Sequence, residues 1–416
     1  MGSAFPAGLR LAGAFLQLLS TILITRTLGV EDSGMYFFWI AVMLEIGQVA
    51  TFGLDRLALQ QVPRIDQTEG RLIRFLAPLR ASALALALVL SSALCAYALF
   101  VQVDADRSPF WYLIPFICVS GVVMSMINSE TLAGLGRPVL AIVCRHTVLN
   151  LVLIISILSF GDRLTTDLAL TAYAVAFFVS GFGAFLIPVF RGMGRPLSLP
   201  DAFQFREHLK QGSPLFIGSL FASLSFIVPL AVLERSHASE QIALVTTGFR
   251  LFVLIDVLVK AVHSLVMPEM SRAAHVVDGS LLGRIYRTAI LKGLMVLGIP
   301  VLVLLTFAEP VMEIFGEGFG EGAIFLRVFM GFAFVSLLLG PTHQLLLMVG
   351  HTRRMAFYSF LHFLFTGTLS VLLVPPFGAV AFVYVIGFGI IMEKILLLKF
   401  SISSMRSRDV KGEGEQ

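Results

Sequence analysis

The stretch PFWYLIPFICVSGVVMSMINSETL, residues 109–132, contains one charged side chain, Glu130, among 24 residues. An α-helix needs about 20 apolar residues to cross the hydrocarbon core of a bilayer. The apolar residues are continuous and do not alternate with polar ones, which favours a helix over a strand. A helix also satisfies its own backbone hydrogen bonds in lipid. The stretch therefore predicts a membrane-spanning helix.

Similar stretches fill the rest of the 416-residue chain. Hydrophobic residues make up 57% of it and charged residues 13%, with a mean hydropathy of +0.91. This composition predicts an all-α polytopic membrane protein without a separate soluble domain. About twelve spans are expected, at residues 7–25, 34–53, 75–100, 109–132, 139–160, 168–190, 214–233, 242–265, 285–308, 323–348, 356–374 and 378–400.

Lysine and arginine are shared unevenly between the gaps that separate these spans. Alternate gaps, from 54–74 to the tail that begins at 401, hold sixteen of these residues, whereas the opposite gaps hold four. Positively charged loops stay in the cytoplasm, so both termini are predicted to be cytoplasmic. The net charge of +4 then reflects membrane topology, and nothing in its distribution predicts a nucleic-acid partner.

Two pairs of turns indicate an internal repeat. Arg26 and Glu31 have the same spacing as Arg235 and Glu240, at an offset of 209 residues. The turn at 134–138 has a counterpart about 215 residues later, at 350–354. Chance similarity between turns rich in glycine and arginine is the alternative. The repeat predicts two parallel six-helix bundles around a central cavity, at 1–200 and 201–400, followed by a polar cytoplasmic tail at 401–416.

The sequence contains none of the patterns that carry soluble-type chemistry. Cys95, Cys118 and Cys144 lie inside apolar spans at no metal-ligand spacing, which favours packing roles. There is no phosphate-binding glycine loop and no nucleophile with a neighbouring base. We therefore expect no catalytic residue, no metal, no cofactor and no enzymatic activity.

Several stretches resemble the polysaccharide-biosynthesis flippases of the multidrug/oligosaccharidyl-lipid/polysaccharide (MOP) superfamily. The similar stretches are LLSTILITRTLGVEDSGMY (18–36), TFGLDR (51–56), LAGLGRP (132–138), GFR (248–250), PEMSR (268–272) and FGEGF (315–319). The resemblance implies two bundles of six helices, a V-shaped cavity, and transfer of a lipid-linked sugar from the inner to the outer leaflet of a bacterial or archaeal plasma (inner) membrane. The implied partners are lipid-linked oligosaccharide and membrane lipids, with polysaccharide polymerase and chain-length machinery as further candidates.

Charged residues inside the spans are the candidates for a functional site, because a charge in hydrocarbon is costly unless it pairs, snorkels or faces water. Five of them stand within a turn or two of a predicted helix end, where snorkelling or anchoring is expected. These five are Arg80, Glu130, Arg327, Glu393 and Lys394.

Arg250 stands about eight residues into the eighth span, on the order of 12 Å from the interface. In the same helix Asp256, Lys260 and His263 follow at i, i+4 and i+7, so they share one face. One interpretation is a polar stripe on a cavity wall. The other is an Asp256–Lys260 pair that neutralises itself against neighbouring helices.

Three further cations enter the membrane from the cytoplasmic side: Arg145 in the fifth span, Lys292 in the ninth and Arg10 in the first. A positive inner cavity suits a polyprenyl pyrophosphate, since arginine binds phosphate oxygens through two N–H groups and lysine supplies a point charge. Snorkelling to the interface is the alternative for each. We predict that these three cations bind substrate together with Arg250 and Lys260.

Glu45 lies midway along the second span, on one face with Gln48. Because hydrocarbon favours the neutral form of a carboxyl group, Glu45 is a candidate proton-coupling residue, and Asp256 is a second one. A structural role as counter-charge to Arg10 or Arg250 is equally compatible with the sequence. The neighbouring pair Asp55 and Arg56 reads as a helix terminus and not as a gate.

Two other functions remain open at this point. A drug or cation antiporter of the same superfamily should have an acidic, aromatic-lined cavity, whereas the deep residues here are mainly basic. A membrane enzyme that polymerises or ligates lipid-linked sugars needs a sizeable outer loop, and no predicted outer gap exceeds about 14 residues. The leading hypothesis is therefore a flippase that works by alternating access.

Overall fold

The computed structural model of the chain describes residues 4–65, 69–100, 109–186, 202–264, 279–342 and 352–413. Within these ranges every regular element is helical. The α-helices are α1 Ala4–Thr51, α2 Leu54–Gln61, α3 Glu69–Phe100, α4 Leu113–Gly134, α5 Pro138–Ile142, α6 Leu149–Phe160, α7 Thr166–Gly183, α8 Ala202–Ser236, α9 Ser239–Ser264, α10 Gly279–Thr306, α11 Ala308–Glu313, α12 Ala323–Leu339 and α13 Thr352–Glu413. Short 3₁₀ turns lie at Val62–Arg64, Pro109–Tyr112, Gly161–Arg163, Ala184–Leu186 and Phe319–Gly322, and one π-helix at Val143–Val148.

Ten helical stretches in the described residues are long and apolar enough to cross a membrane. The prediction of an all-α polytopic membrane protein is thereby confirmed. The stretches are Leu11–Thr51, Arg71–Leu99, Phe110–Gly134, Pro138–Arg163, Thr166–Leu186, Leu215–Ser236, Ser239–Val259, Gly283–Thr306, Phe319–Leu339 and Arg354–Phe400.

Two of the ten stretches join spans that the sequence predicts as separate. Helix α1 continues through the predicted gap at 26–33, and α13 continues through the one at 375–377. In each helix one glycine leaves the helical conformation: Gly29 has φ 76° and ψ −176°, and Gly378 has φ 60° and ψ −141°. Such backbone angles are accessible to glycine, which has no Cβ to clash. Each long helix is therefore two arms joined at a glycine, and not two helices joined by a loop.

The predicted loop at 54–74 contains a helix that hydropathy does not reveal. Phe52 and Gly53 both have positive φ, at 48° and 74°, and end the second arm of α1. Helix α2 begins at the next residue, and its apolar side, with Leu54, Leu57 and Ala58, is buried. An amphipathic helix of eight residues is too short and too polar to register as a span, which is why the sequence predicts a loop here.

The chain divides into two compact units, Met1–Ser223 and Leu224–Gln416, and the division falls within α8. In the first unit α4 is central and packs against α1, α2, α3 and α7. In the second unit α12 packs against α9, α10 and α13. Aromatic rings meet edge to face in the core of the first unit, as between Trp39 and Trp111, whose ring centroids are 4.9 Å apart. Phe226 and Phe249 stack at 4.5 Å in the second.

Candidate functional site

Arg145 lies in the π-helix Val143–Val148, directly after the short helix α5. A π-helix widens one turn and leaves carbonyl groups without their usual helical partners. Side chains bind two of these carbonyls here: Ser180 donates to the Cys144 carbonyl at 2.6 Å, and Asn150 donates to the His146 carbonyl at 2.8 Å. The irregular turn that carries Arg145 is thus stabilised from α7 and from α6.

The Arg145 guanidinium pairs with Glu130 of α4. Nη1 of Arg145 lies 3.5 Å from Oε1 of Glu130, at the long end of hydrogen-bonding distances. The Arg145 side chain keeps 34% of its surface exposed. With Pro138 and His146, the pair lines a cavity of about 140 Å³. The positive guanidinium of Arg145 therefore has space beside it for a small anionic group.

Asp55 and Arg56, at the start of α2, also act electrostatically on Arg145. Asp55 is 5% exposed and accepts a hydrogen bond from the Thr51 hydroxyl at 3.3 Å. Arg56 lies 3.8 Å from the same carboxylate and is mostly exposed. Two cations and two carboxylates, counting Glu130, therefore form one charged cluster, which we call the Arg145 cluster. The sequence did not predict that Asp55 and Arg56 join a site.

Glu45, in the second arm of α1, is half-buried and contacts α8. The Ser223 hydroxyl donates a hydrogen bond to its carboxylate. Its Oε2 atom is buried without a hydrogen-bond partner among the described residues. Arg10, which the sequence offered as a partner for Glu45, lies in α1, and its side chain is outside the part of the structure that is described.

The four polar residues predicted on the eighth span all lie in α9. Arg250 and Asp256 are half-buried, and His263 is 2% exposed. His263 interacts electrostatically with Asp256 and with Lys394 of α13. The side chain of Lys260 is outside the described residues, so the predicted Asp256–Lys260 pair is untested. Lys292 of α10 is exposed.

Four of the five residues assigned to snorkelling or anchoring have specific protein partners instead, and one of them, Lys394, donates to the hydroxyl and the carbonyl of Ser336. Arg80 is 3% exposed, and its guanidinium lies 4.9 Å from the ring centroid of Phe185, so the snorkelling prediction for it is wrong. Glu130 pairs with Arg145, as described above. Glu393 is 9% exposed and lies 3.0 Å from Nδ1 of His362. Sequence reasoning missed the His362–Glu393 pair because its members are 31 positions apart on different predicted spans.

Long apolar helices with charged clusters packed between them define a multi-pass membrane protein. Solved transporters of the MOP superfamily share this fold. An inward-facing multidrug resistance MATE family transporter matches with a TM-score of 0.73, 15% identity and coverage of 97% of this chain and 99% of that one. The lipid II flippase MurJ, in an inward closed conformation, matches with a TM-score of 0.75, 14% identity and coverage of 96% and 87%. A MOP superfamily transporter from Pyrococcus furiosus, whose binding pocket is described as reversed in polarity, matches with a TM-score of 0.65, 16% identity and coverage of 98% and 96%.

The sequence places the chain more narrowly. The family described as Polysaccharide biosynthesis protein matches residues 3–274, so the chain belongs to that family. The resemblance seen in the sequence motifs is confirmed at the family level. No curated protein matches the chain.

Proposed function

We propose that this protein is a flippase that moves a polyprenyl-pyrophosphate-linked oligosaccharide, such as an O-antigen, capsule or exopolysaccharide unit, from the inner to the outer leaflet. The observation that carries the proposal is the Arg145 cluster, a guanidinium beside a small cavity within the helices of a polysaccharide-biosynthesis family member. Arginine binds phosphate oxygens bidentately, and its charge persists at any physiological pH.

The membrane arrangement that goes with this function has twelve spans. We propose that α1 and α13 each cross the membrane twice, with Gly29 and Gly378 at the turns, because a straight helix of 48 residues would be about 72 Å long against about 30 Å of hydrocarbon. The six-helix halves are then 1–200 and 201–400. Both termini and the tail from 401 lie in the cytoplasm, consistent with the distribution of lysine and arginine.

Substrate binding would change the partner of Arg145. In the structure Glu130 occupies one side of the guanidinium at a long distance, and the remaining N–H groups are available for other acceptors. A pyrophosphate brings more negative charge than one carboxylate, so it displaces Glu130 from Arg145. Arg250, Arg10, Lys260 and Lys292 are the other cations that we propose to bind substrate. Glu130 returns to Arg145 when the lipid leaves, which facilitates release.

The energy for transport would come from the membrane potential, with protons as a second source. Moving a negative head group outward is favoured by an inside-negative potential at about 2.3 kcal/mol per charge per 100 mV. Glu45 and Asp256 are the candidate coupling groups. The Glu45 carboxylate has a buried oxygen without a partner among the described residues, and a proton there would remove the cost of an uncompensated buried charge.

The test is flipping of purified lipid-linked oligosaccharide in proteoliposomes, with Arg145→Ala compared with Arg163→Ala. Arg163 is an exposed arginine in the Gly161–Arg163 turn, so its removal controls for the loss of one positive charge. We expect Arg145→Ala to abolish flipping and Arg163→Ala to leave it intact. Flipping at the wild-type rate by both Arg145→Ala and Arg250→Ala would refute the proposed site. Absence of flipping by the wild-type protein would refute the function.

The second candidate, a cation antiporter, is favoured by the Glu45 carboxylate oxygen that no described residue contacts through a hydrogen bond. Such a transporter would move a cationic dye against a proton gradient in the same proteoliposomes. Dye transport that stops in Glu45→Gln, together with no oligosaccharide flipping, would select this function.

A further inference from the structure

A second charged cluster lies in the second unit, between the two arms of α13. His362 is in the first arm and Glu393 in the second, on either side of Gly378. Nδ1 of His362 lies 3.0 Å from Oε2 of Glu393, and the Ser359 hydroxyl donates to Oε1 of Glu393 at 2.9 Å. Both residues are about nine-tenths buried, with 8% and 9% exposure. One proton therefore lies between the ring and the carboxylate, whichever of the two carries it.

The other ring nitrogen of His362, Nε2, is buried, and no described residue donates to it or accepts from it. The second arm passes very close at this point: a Cβ added to Gly389 would stand 2.7 Å from Nε2 and 2.4 Å from Cγ2 of Thr366. There is no space for a water molecule between the ring and the helix backbone. The packing thus suits an Nε2 that carries no proton, since an N–H there would have no acceptor among the described residues.

The charge balance favours the opposite protonation state. With a bare Nε2 the pair holds a carboxylate and a neutral imidazole, and its net charge is −1. A proton from bulk water bound at Nε2 makes the pair a carboxylate and an imidazolium, with net charge 0, which is the cheaper state in a medium of low dielectric constant. Protonation of Nε2 therefore removes the electrostatic cost of the net charge, but it leaves a buried N–H without an acceptor among the described residues. The conflict is relieved when the two arms separate enough to hydrate Nε2.

The other charged groups around the His362–Glu393 pair come from α13 itself and from the helices that pack against it. Helix α13 packs against α9, α10 and α12. Lys394, next to Glu393, donates to the hydroxyl and to the carbonyl of Ser336 on α12, the latter at 3.4 Å. From α9, His263 interacts with Lys394 and Asp256. The charged side chains described on α10 and α12 are exposed: Arg284, Arg287, Lys292 and Arg327. Lys394 follows Glu393 directly in the chain and brings one positive charge to this part of α13.

From these contacts we infer that the His362–Glu393 pair is a proton-binding site, and that proton uptake at Nε2 of His362 separates the arms of α13 and couples the proton gradient to transport. The coupling part rests on the proposed flippase function. The proton site itself does not, because it follows from the geometry within one unit. The site is distinct from Glu45, which lies in the other unit.

The first experiment tests the proton site without any substrate. The full chain, labelled with ¹⁵N-histidine and held in nanodiscs, is titrated between about pH 5 and pH 8, the range in which histidine changes charge. The ring signals of His362 are assigned with His362→Gln. We expect a reversible change at Nε2 and, over the same pH range, faster deuterium exchange in residues 355–400 at the acidic end. A constant Nε2 signal with constant exchange would overturn the inference. The exchange measurement needs no variant, so it holds even where a substitution prevents folding.

The second experiment tests coupling in proteoliposomes that contain lipid-linked oligosaccharide. A gradient of one pH unit shifts the distribution by up to about tenfold for each coupled proton. His362→Gln and Glu393→Gln should lose that stimulation and keep flipping driven by an imposed potential, which also shows that they are folded. The matched control is Glu240→Gln, an exposed carboxylate on the same unit but outside the pair, and it should keep the stimulation.

The outcomes separate the inference from the proposed function. Stimulation that persists in both pair variants overturns the coupling role. Stimulation by a sodium gradient alone, lost in Glu393→Gln, would replace the proton by a metal cation and overturn the inference. If the wild type does not flip lipid but His362 titrates with opening of α13, the proton site stands and the flippase function fails.

Discussion

Gly181 of α7 lies directly against Gly121 of α4: a Cβ added to Gly181 would stand 2.5 Å from the carbonyl oxygen of Gly121. The approach is mutual, because a Cβ on Gly121 would stand 2.6 Å from the backbone of Phe177. Small residues allow backbones of membrane helices to approach closely, and polar side chains then reach across. Here Asn128 donates to the Gly181 carbonyl at 2.9 Å, and the Ser125 and Ser180 hydroxyls are 3.0 Å apart. The same close contact lets Ser180 reach the π-helix of Arg145.

Gly181→Ala should therefore destabilise the first unit, by about 1–3 kcal/mol, as expected for overpacking against backbone that cannot yield. Thermal unfolding in detergent, followed by intrinsic fluorescence, measures the effect. The control is Gly183→Ala on the same helix, where an added Cβ meets nothing closer than 3.9 Å. Equal stability of the two variants would contradict the packing described for Gly121 and Gly181.

The distribution of lysine and arginine predicts which ends of the spans lie outside the cytoplasm. Reporter fusions after residues 30, 105, 164, 237 and 315 should give the periplasmic or extracellular signal, because sixteen of the twenty lysines and arginines outside the predicted spans lie in the other set of gaps. Fusions after residues 64 and 137 are the cytoplasmic controls. Cytoplasmic signals from two or more of the five outer sites would refute the twelve-span arrangement.

Glu130→Gln should strengthen anion binding at Arg145, because the amide removes the negative charge that competes for the guanidinium. We expect tighter binding of inorganic pyrophosphate in titration calorimetry and slower flipping, since release becomes the slow step. Arg145→Lys should restore only part of the Arg145→Ala defect, because a lysine lacks the planar fork. Unchanged pyrophosphate affinity in Glu130→Gln would show that Glu130 does not compete with the substrate.

Glu45→Gln tests the role of the carboxylate that binds Ser223. The variant should keep flipping driven by an imposed potential, because the amide preserves the hydrogen bond with Ser223. It should lose the part of any pH-gradient stimulation that depends on Glu45. Ser223→Ala, which keeps the titratable group, is the matched control. A Glu45→Gln protein that responds to the pH gradient as the wild type does would leave Glu45 as a structural counter-charge.

His208 gives the contact between α3 and α8 a predictable pH dependence. This residue precedes the membrane-spanning part of α8, and its ring lies 3.0 Å from the Ser82 hydroxyl. Burial lowers the pKa of His208 below its ordinary value of 6.5. The unfolded state then binds a proton more readily than the folded one, so the stabilisation is complete above pH 6.5 and declines as the pH falls towards the lowered pKa.

Deuterium exchange of residues 203–213 should accordingly rise when the pH falls from about 7.5 to about 5.5, beyond the intrinsic change in exchange rate, because this interval spans the ordinary histidine pKa. His208→Gln should remove that extra rise, since the amide does not titrate. The same extra rise in the variant would assign the pH effect to another group.

Hydropathy along the chain was enough to predict the membrane-spanning character and the approximate positions of the long apolar helices among the described residues, because hydropathy is a local property that needs no partner. Counting residues from the ends of the predicted helices also identified Arg145, Arg250 and Glu45 as deep charges, since depth in a helix follows from its rise per residue. The family resemblance rested on short sequence motifs, which are local in the same sense.

Packing between helices determined which charges meet. Glu130 and Glu393 look like helix-end anchors in the sequence, yet they pair with Arg145 and His362, whose helices are brought beside them by packing. Arg80 looks able to snorkel, but it is buried under Phe185. The continuation of α1 and α13 through Gly29 and Gly378 is likewise a feature of the folded chain, because one glycine with positive φ redirects a helix where hydropathy registers only a polar gap. A partner for a buried charge depends on the arrangement of several helices at once, and a local pattern in one helix does not contain that information.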